Sequence, residues 1–313
     1  MNPPPSVSVV LPTLNAAPWL PALFARLAEQ QPAPPVEILL VDSGSTDDTV
    51  RLAAAAAPLV RRLAIERFTH GAARNLGIRA ARGEIVALLT QDALPADANW
   101  LARLIEPLAD PAVAGVYARQ IPRADAPIME QFFLADRFPA ASGPVPRRHI
   151  GAAPPVYPAT FFSNVSSTAR RADWLAFPFD ETLLMSEDQQ FARDALAAGR
   201  TIVYQPAAVV IHSHRYGFRQ TFRRYFDSVV AFRQLSARHG LGASAALGRG
   251  AARRELAFAL RRRPAGLPAY ALHLAAKAAG ALAGHLADFM PRAWRARCSL
   301  QPGWWRGIGD LSP

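Results

Sequence analysis

Three apolar runs of this chain end abruptly in polar groups suited to a phosphorylated ligand. Leu88-Leu89 leads into Thr90-Gln91-Asp92-Ala93, Val7 to Leu11 into Pro12-Thr13-Leu14-Asn15, and Ile38-Leu39-Leu40-Val41 into Asp42-Ser43-Gly44-Ser45-Thr46-Asp47. Such runs read as buried strands, and a parallel α/β sheet presents the carboxyl ends of its strands to ligand. A carboxylate there, such as Asp92, is well placed to hold a metal ion on a nucleotide phosphate, because Mg²⁺ keeps several waters and needs only one or two carboxylates beside the phosphates. Asp42 suits a ribose hydroxyl or a base N–H. The turn after Pro12-Thr13 offers backbone donors and the Asn15 amide to a nucleotide, although Asn15 suits a helix N-cap equally well.

Four more groups complete the set. Arg74 and Asn75 fall early in a helical pattern behind His70-Gly71, where a guanidinium can hold phosphate oxygens and Asn75 can orient a strand end; surface ion pairing is the alternative for Arg74. Glu187-Asp188 opens a helix after Ser186, and the helix dipole alone explains acids in a first turn. His212 and His214 close a strand near 202–211, and an i, i+2 pair points to opposite faces of an extended segment, so that one of them would serve. Ser45-Thr46-Asp47-Asp48 reads as a helix N-terminus with capping groups.

The elements that must position these groups follow a βα rhythm. Strands are expected at about 6–12, 36–42, 60–65 and 84–90, with helical patterns at about 18–30, 47–57 and 71–82, the last stopped by Gly83. A helix at 97–108, a strand near 113–119 and a Pro- and Gly-rich loop at 139–158 follow. That loop contains Arg147-Arg148-His149 and reads as a mobile acceptor or lid segment, or as a surface linker. From 218 to 289 the pattern is helical, with Leu267, Ala271, Leu274, Ala278, Leu282, Leu286 and Phe289 at one spacing and His273, Lys277 and Asp288 on the other side.

A chain of 313 residues, 51% hydrophobic and 19% charged, can bury a sizeable core and is not disordered. The single Cys298 gives no internal disulfide framework and favours a reducing compartment. No signal peptide is apparent at Met1-Asn2-Pro3-Pro4-Pro5, so a cytoplasmic location is expected. The net charge of +11 is almost all arginine, Lys277 being the only lysine; it suits anionic lipid or a diphosphate, and no basic stripe interleaved with aromatics points to nucleic acid. Arg253-Arg254 and Arg261-Arg262-Arg263, with Trp294, Trp304 and Trp305 in the same tail, suit peripheral contact with an anionic membrane surface, the alternative being a packed lid or dimer face.

In order, Pro12-Thr13-x-Asn15, Val41-Asp42-Ser43-Gly44-Ser45-Thr46-Asp47, Gly71-x-x-Arg74-Asn75, Gln91-Asp92 and Glu187-Asp188 resemble the successive motifs of family 2 glycosyltransferases with the GT-A fold, over about residues 6–230. Phe68-x-His70-Gly71, Thr90-Gln91-Asp92-Ala93 and His212-Ser213-His214 are most similar to its rhamnosyltransferase-type branch. The family's Asp-x-Asp is Thr90-Gln91-Asp92 here, one acid fewer. The resemblance implies a GT-A type, Rossmann-like mixed α/β sheet over 1–230, with a donor half to about 120, an acceptor half to about 230, and a helical extension over 231–313.

It further implies an inverting enzyme that uses Mg²⁺ or Mn²⁺. Pro12, Thr13, Asn15, Asp42, Arg74, Asn75, Gln91 and Asp92 would line the donor site, with Asp42 and Thr13 on the base and ribose. Asp92 would hold the metal together with His212 or His214, Asp188 would be the general base, and Glu187 would be a neighbouring acceptor or orienting group. Phe161-Phe162-Ser163-Asn164 would form an acceptor-side strand, with a turn over 166–171. The expected donor is dTDP-L-rhamnose and the acceptor a growing surface glycan or a lipid-linked one. Another UDP- or GDP-hexose donor, or a non-catalytic sugar-nucleotide-binding protein, is the alternative; a glycoside hydrolase would have no use for a phosphate-binding frame.

Overall fold

The computed structural model describes residues 6–31, 35, 37–149, 157–239, 245–262 and 266–307. They form two compact units. The first comprises residues 1–121, 138–181 and 187–212, and the second 122–137, 182–186 and 213–313.

The first unit is built on one mixed sheet. Its strands are β1 (Val7–Thr13), β2 (Glu37–Asp42), β3 (Val60–Ala64), β4 (Ile85–Leu89), β5 (Leu94–Pro95), β6 (Val113–Ile121), β7 (Val145–Arg147), β8 (Ser166–Arg170) and β9 (Thr201–Ile211). The order is β3-β2-β1-β4-β8-β6-β9-β5, with β7 on β9. β3, β2, β1 and β4 run parallel, as do β6 and β9, while β8 is antiparallel between β4 and β6. β2 and β4 are buried along their whole length, as central parallel strands covered on both faces must be.

Helices α1 (Leu20–Ala28), α2 (Thr49–Ala55), α3 (His70–Ala80) and α4 (Trp100–Ile105) follow successive strands. Leu20, Leu23 and Leu27 of α1 and Trp100, Leu101 and Leu104 of α4 bury one sheet face with Val9, Leu11, Ile38 and Leu89. α3 covers the other face closely: a Cβ on Gly77 would lie 2.3 Å from a Val10 methyl. The aromatic cluster of Phe162, Trp174, Phe179 and Phe191 packs with centroids 4.3–6.4 Å apart and supports a later helix, α7 below.

Gly83 does not act as the expected helix stop. α3 ends at Ala80 with Ala81 as its C-cap, and Gly83 instead lets two backbones approach, since an added Cβ would lie 2.5 Å from the Ser8 amide nitrogen. The Ser8 hydroxyl accepts from Gly83 N–H and donates to buried Glu37, which also accepts from Arg82. Gly83→Ala is therefore expected to cost about 1–3 kcal/mol, read as a lower urea midpoint at unchanged slope; an unaltered midpoint would show that the strand gives way.

The chain after β6 departs most from the sequence expectations. Part of the loop at 139–158 is strand β7, whose Arg147 donates to the Phe161 carbonyl and lies 5.4 Å from the Tyr117 ring centroid, while Arg148 donates to the Thr201 hydroxyl. Residues 150–156 of the loop lie outside the described residues. The expected strand at 161–164 and turn at 166–171 are displaced: Ser166–Arg170 is strand β8, followed by α6 (Arg171–Ala176). This short polar strand alternates poorly because both its neighbours and both its faces are protein.

The second unit is helical: α5 (Ile128–Arg137), α8 (Phe218–His239), α9 (Ala245–Arg262), α10 (Leu267–His285), α11 (Arg292–Cys298) and α12 (Pro302–Gly307), with α7 (Glu187–Ala197) belonging to the first unit. α10 packs on α8 through small residues: a Cβ on Gly280 or Gly284 would meet the backbone of Phe222 or Phe226. No helix among the described residues is long and apolar enough to cross a membrane.

Candidate active site

The strand directions gather the polar endings at one edge of the sheet. The carboxyl ends of β1, β2, β4, β6 and β9 meet there, and so does the start of antiparallel β8, because Leu89 pairs with Ser166 and Ile121 with Ile211. Thr13, Asn15, Asp42, Asp92, Gln120, Asn164 and His212 all belong to this edge, where ligands of open α/β sheets bind.

Two loops at the edge are latched together. The Asn15 side-chain oxygen accepts from Thr46 N–H at 2.9 Å, Asn15 N–H donates to the Ser45 hydroxyl, and Ala17 N–H donates to Asp47. Asn15 holds φ 51°, in the left-handed region that asparagine tolerates best after glycine. The side chain therefore serves the latch, not a helix N-cap. Nor do Ser45 to Asp48 cap α2 as a set: the Ser45 hydroxyl donates to Asp42, and Asp47 alone accepts from Thr49.

Asp42 is buried, yet burial, which would raise its pKa, is outweighed by bonds from Ser45 and Arg62, so its carboxyl lies below the ordinary range. Thr13 is buried behind it, its hydroxyl 3.4 Å from the Val41 carbonyl, and Pro12 is half-buried. Gln91 faces the same loops: its side-chain oxygen accepts from Leu14 N–H at 2.8 Å and its nitrogen donates to the Leu14 carbonyl at 3.2 Å. Its amide thus holds the backbone after β1.

At β4 and β9, Asp92 and His212 come together. A carboxylate oxygen of Asp92 lies 3.5 Å from Nε2 of His212, which is 7% exposed. Nδ1 of His212 is 3.0 Å from the Gln120 side-chain oxygen, and the Gln120 nitrogen donates to Ser163 at 2.9 Å. Nδ1 of His212 is thus anchored and Nε2 faces Asp92. A ligating histidine with its other nitrogen anchored is how proteins present imidazole to a metal. The donor set fits a divalent ion. Gln120 escaped the sequence reading, although a polar residue near the end of the apolar β6 run was its signal. His214, in the second unit, stacks on Tyr216 at 4.7 Å, and its N–H donates to Glu130.

Across the same edge lies a second polar group. Arg74 donates to Glu187 at 2.8 Å, and both side chains are only 6% exposed. Surface pairing, the alternative for Arg74, does not describe this buried contact. The Asn75 amide donates to the Phe179 carbonyl and to Glu181 and accepts from Phe179 N–H, bracing the segment before α7. Asn164 donates to Glu187 and is fixed by Ser167. Asp188 accepts from the Asn164 and Gln189 N–H groups.

The two carboxyls titrate in opposite directions. Burial pushes Glu187 up, but Arg74 and then His70 outweigh it and hold the group below the usual range. Asp188 is pushed up to about 7, first by burial and then by the charge on Glu187, against the weaker pull of Arg74. Ser186, immediately before this pair, holds φ 69°, a strained value for a non-glycine residue of the kind that clusters at functional sites. Gly199, at φ 74°, follows the end of α7 at Ala197 in the left-handed conformation usual past a helix terminus.

A mixed sheet of this order with donor-type groups at one edge and a poised carboxyl at the start of a helix defines a GT-A glycosyltransferase fold. A solved mannosyltransferase from Pyrobaculum calidifontis, in complex with GDP-Man and Mn²⁺, superposes with a TM-score of 0.56 at 23% identity, covering 97% of this chain and 87% of that one. Residues 8–139 match the family model for Glycosyl transferase family 2. The O-antigen chain rhamnosyltransferase RfbN of Salmonella typhimurium is 29% identical over 96% of each chain, and the succinoglycan biosynthesis protein ExoO of Rhizobium meliloti is 31% identical over 74% of this chain and 69% of its own. The chain belongs to glycosyl transferase family 2 and is a glycosyltransferase.

Proposed function

We propose that the chain transfers L-rhamnose, with inversion, from dTDP-L-rhamnose to a growing surface glycan or lipid-linked acceptor, with help from a divalent cation. The observation that carries this reading is the pair of adjacent carboxyls opening α7, Glu187 bound to buried Arg74 and Asn164, and Asp188 held by the Asn164 and Gln189 N–H groups. A general base works best with a pKa near the operating pH, and Asp188 is pushed up to about 7 while Glu187 stays charged on Arg74. In this reading Asp188 takes the acceptor's hydroxyl proton as that oxygen attacks the anomeric carbon and the bond to the diphosphate breaks. Asn164 and Gln189 aim the carboxyl through their N–H groups, and the Arg74–Glu187 pair keeps the neighbouring charge fixed. A non-catalytic sugar-nucleotide binder would have no need of such a base.

Asp92 and His212 would hold Mg²⁺ or Mn²⁺, which when bound would neutralise charge on the leaving diphosphate. Thr13, Asn15 and Asp42 with the latched loops would receive the nucleoside, and Gln91 would act by holding Leu14 in place. The choice of rhamnose is supported by similarity along nearly the whole chain to a protein named as a rhamnosyltransferase.

A panel of nucleotide sugars tests donor and metal together. A ligand present at 100 times its Kd stabilises the native state by about 2.7 kcal/mol, a shift of a few degrees in Tm for a chain this size. dTDP-L-rhamnose is expected to give that shift only with Mg²⁺ or Mn²⁺, and Asp92→Ala to abolish it. A shift from UDP- or GDP-hexoses instead would replace the donor, and an equal shift in the presence of chelator would remove the metal.

A further inference from the structure

The helix that reads as amphipathic in sequence is inverted in the second unit. His273 and Lys277 of α10 turn inward: both reach the buried carboxylate of Glu255 on α9, and Lys277 also lies over the Tyr225 ring of α8. The opposite face of α10 is apolar and open. Leu272 is 56% exposed, Leu282 62% and Leu286 45%, with Ala275 and Ala279 between them, and the stripe runs on into Phe289 at 85% and Trp294 at 61%. From Leu272 to Leu286 this band is about 21 Å long at 1.5 Å per helical residue. A surface helix normally turns its polar side to water, and a continuous exposed apolar band marks a contact surface.

Beyond Phe289, α11 and α12 frame a cavity of about 460 Å³ lined by Arg292, Arg297, Arg306 and Trp305, with no carboxylate among its described lining residues. Arg292 is held in place, its Nε donating to the Trp305 carbonyl; Arg297 and Arg306 are exposed. Arg254 and Arg262, in the clusters singled out from sequence, are engaged with Asp136 and the Phe258 ring, and Arg263 lies outside the described residues.

We propose that this face of the second unit docks on a membrane surface, with the α10 stripe, Phe289 and Trp294 lying among acyl chains and the arginine cavity receiving the phosphate of an anionic phospholipid headgroup. Exposed apolar side chains can enter the acyl boundary, and the arginines of α11 and α12 suit an anionic headgroup. A second copy of the chain suits the face poorly: an isologous dimer brings the same patch onto itself, so arginines without complementary acids would meet arginines. The inference rests on the proposed transfer only in that a lipid-linked acceptor would lie at the same surface.

Flotation of the full chain with vesicles, without donor or acceptor, tests it, and transfer to a soluble acceptor measured in parallel keeps a failure of docking distinct from a failure of the enzymatic reading. Vesicles rich in phosphatidylglycerol are expected to lift the protein in low salt, and phosphatidylcholine vesicles much less. Each arginine near such a surface contributes about fivefold in partitioning, so Arg297→Ser with Arg306→Ser should weaken flotation roughly 25-fold while leaving Tm unchanged, since neither side chain is buried. Phe289→Ser with Trp294→Ser should weaken it independently. Equal flotation with neutral vesicles, unchanged flotation of the arginine variant, or a concentration-dependent dimer lost in Leu282→Ser would each overturn the proposal.

Discussion

Asp188→Asn is expected to lower turnover by about 10²–10⁴, the usual contribution of a general base, while donor affinity stays within a few-fold. The amide keeps the shape of the carboxyl and an oxygen for one of the Asn164 and Gln189 N–H groups, which bind separate oxygens of Asp188, but cannot accept the acceptor's proton. In the wild type, kcat/KM should rise with pH through about 7, because the base acts when ionised. The same variant should be more stable than the wild type. The folded pKa of Asp188 lies above its ordinary value of 3.8, so its contribution to stability is present at low pH and lost as pH rises through about 7. The advantage of Asn should therefore reach a few kcal/mol by pH 8, on the order set by linkage, and shrink toward pH 4. More than half the wild-type turnover in Asp188→Asn, or a Tm difference that does not vary with pH, would remove Asp188 as the base.

Arg74→Ala is expected to destabilise the fold by about 3–5 kcal/mol, as breaking one side of a buried ion pair does. The loss comes from Glu187, left buried without its closest cation, and adding Glu187→Gln should recover part of it. Urea denaturation of the two variants gives the comparison. A loss below about 1 kcal/mol for Arg74→Ala would mean that Glu187 simply takes up a proton.

The sequence carried the frame of this site well, for a physical reason. β1, β2 and β4 are buried on both faces, so their apolar runs are unbroken and their polar endings stand out. What stayed hidden depends on contacts distant in sequence. Nothing local to Arg74 says that its partner is Glu187, 113 residues away, and nothing near His212 says that Gln120 meets its Nδ1. β8 escaped because a five-residue strand of Ser, Thr, Ala and Arg has no pattern of its own and is held by its neighbours. For α10, periodicity marks two sides of the helix but not which one meets protein, and the contacts of His273 and Lys277 with Glu255 decide that.

The latch between residues 12–17 and 42–49 makes those loops a single heritable unit. Asn15 grips Thr46, Ser45 grips both Asn15 and Asp42, and Asp47 grips Ala17 and Thr49, so a replacement in one loop removes a partner from the other. Across relatives, positions 15, 45, 46 and 47 should change together or not at all. A chimera that grafts one loop from a relative with a different nucleotide preference should bind neither nucleotide well, whereas moving both loops together should carry the preference with them.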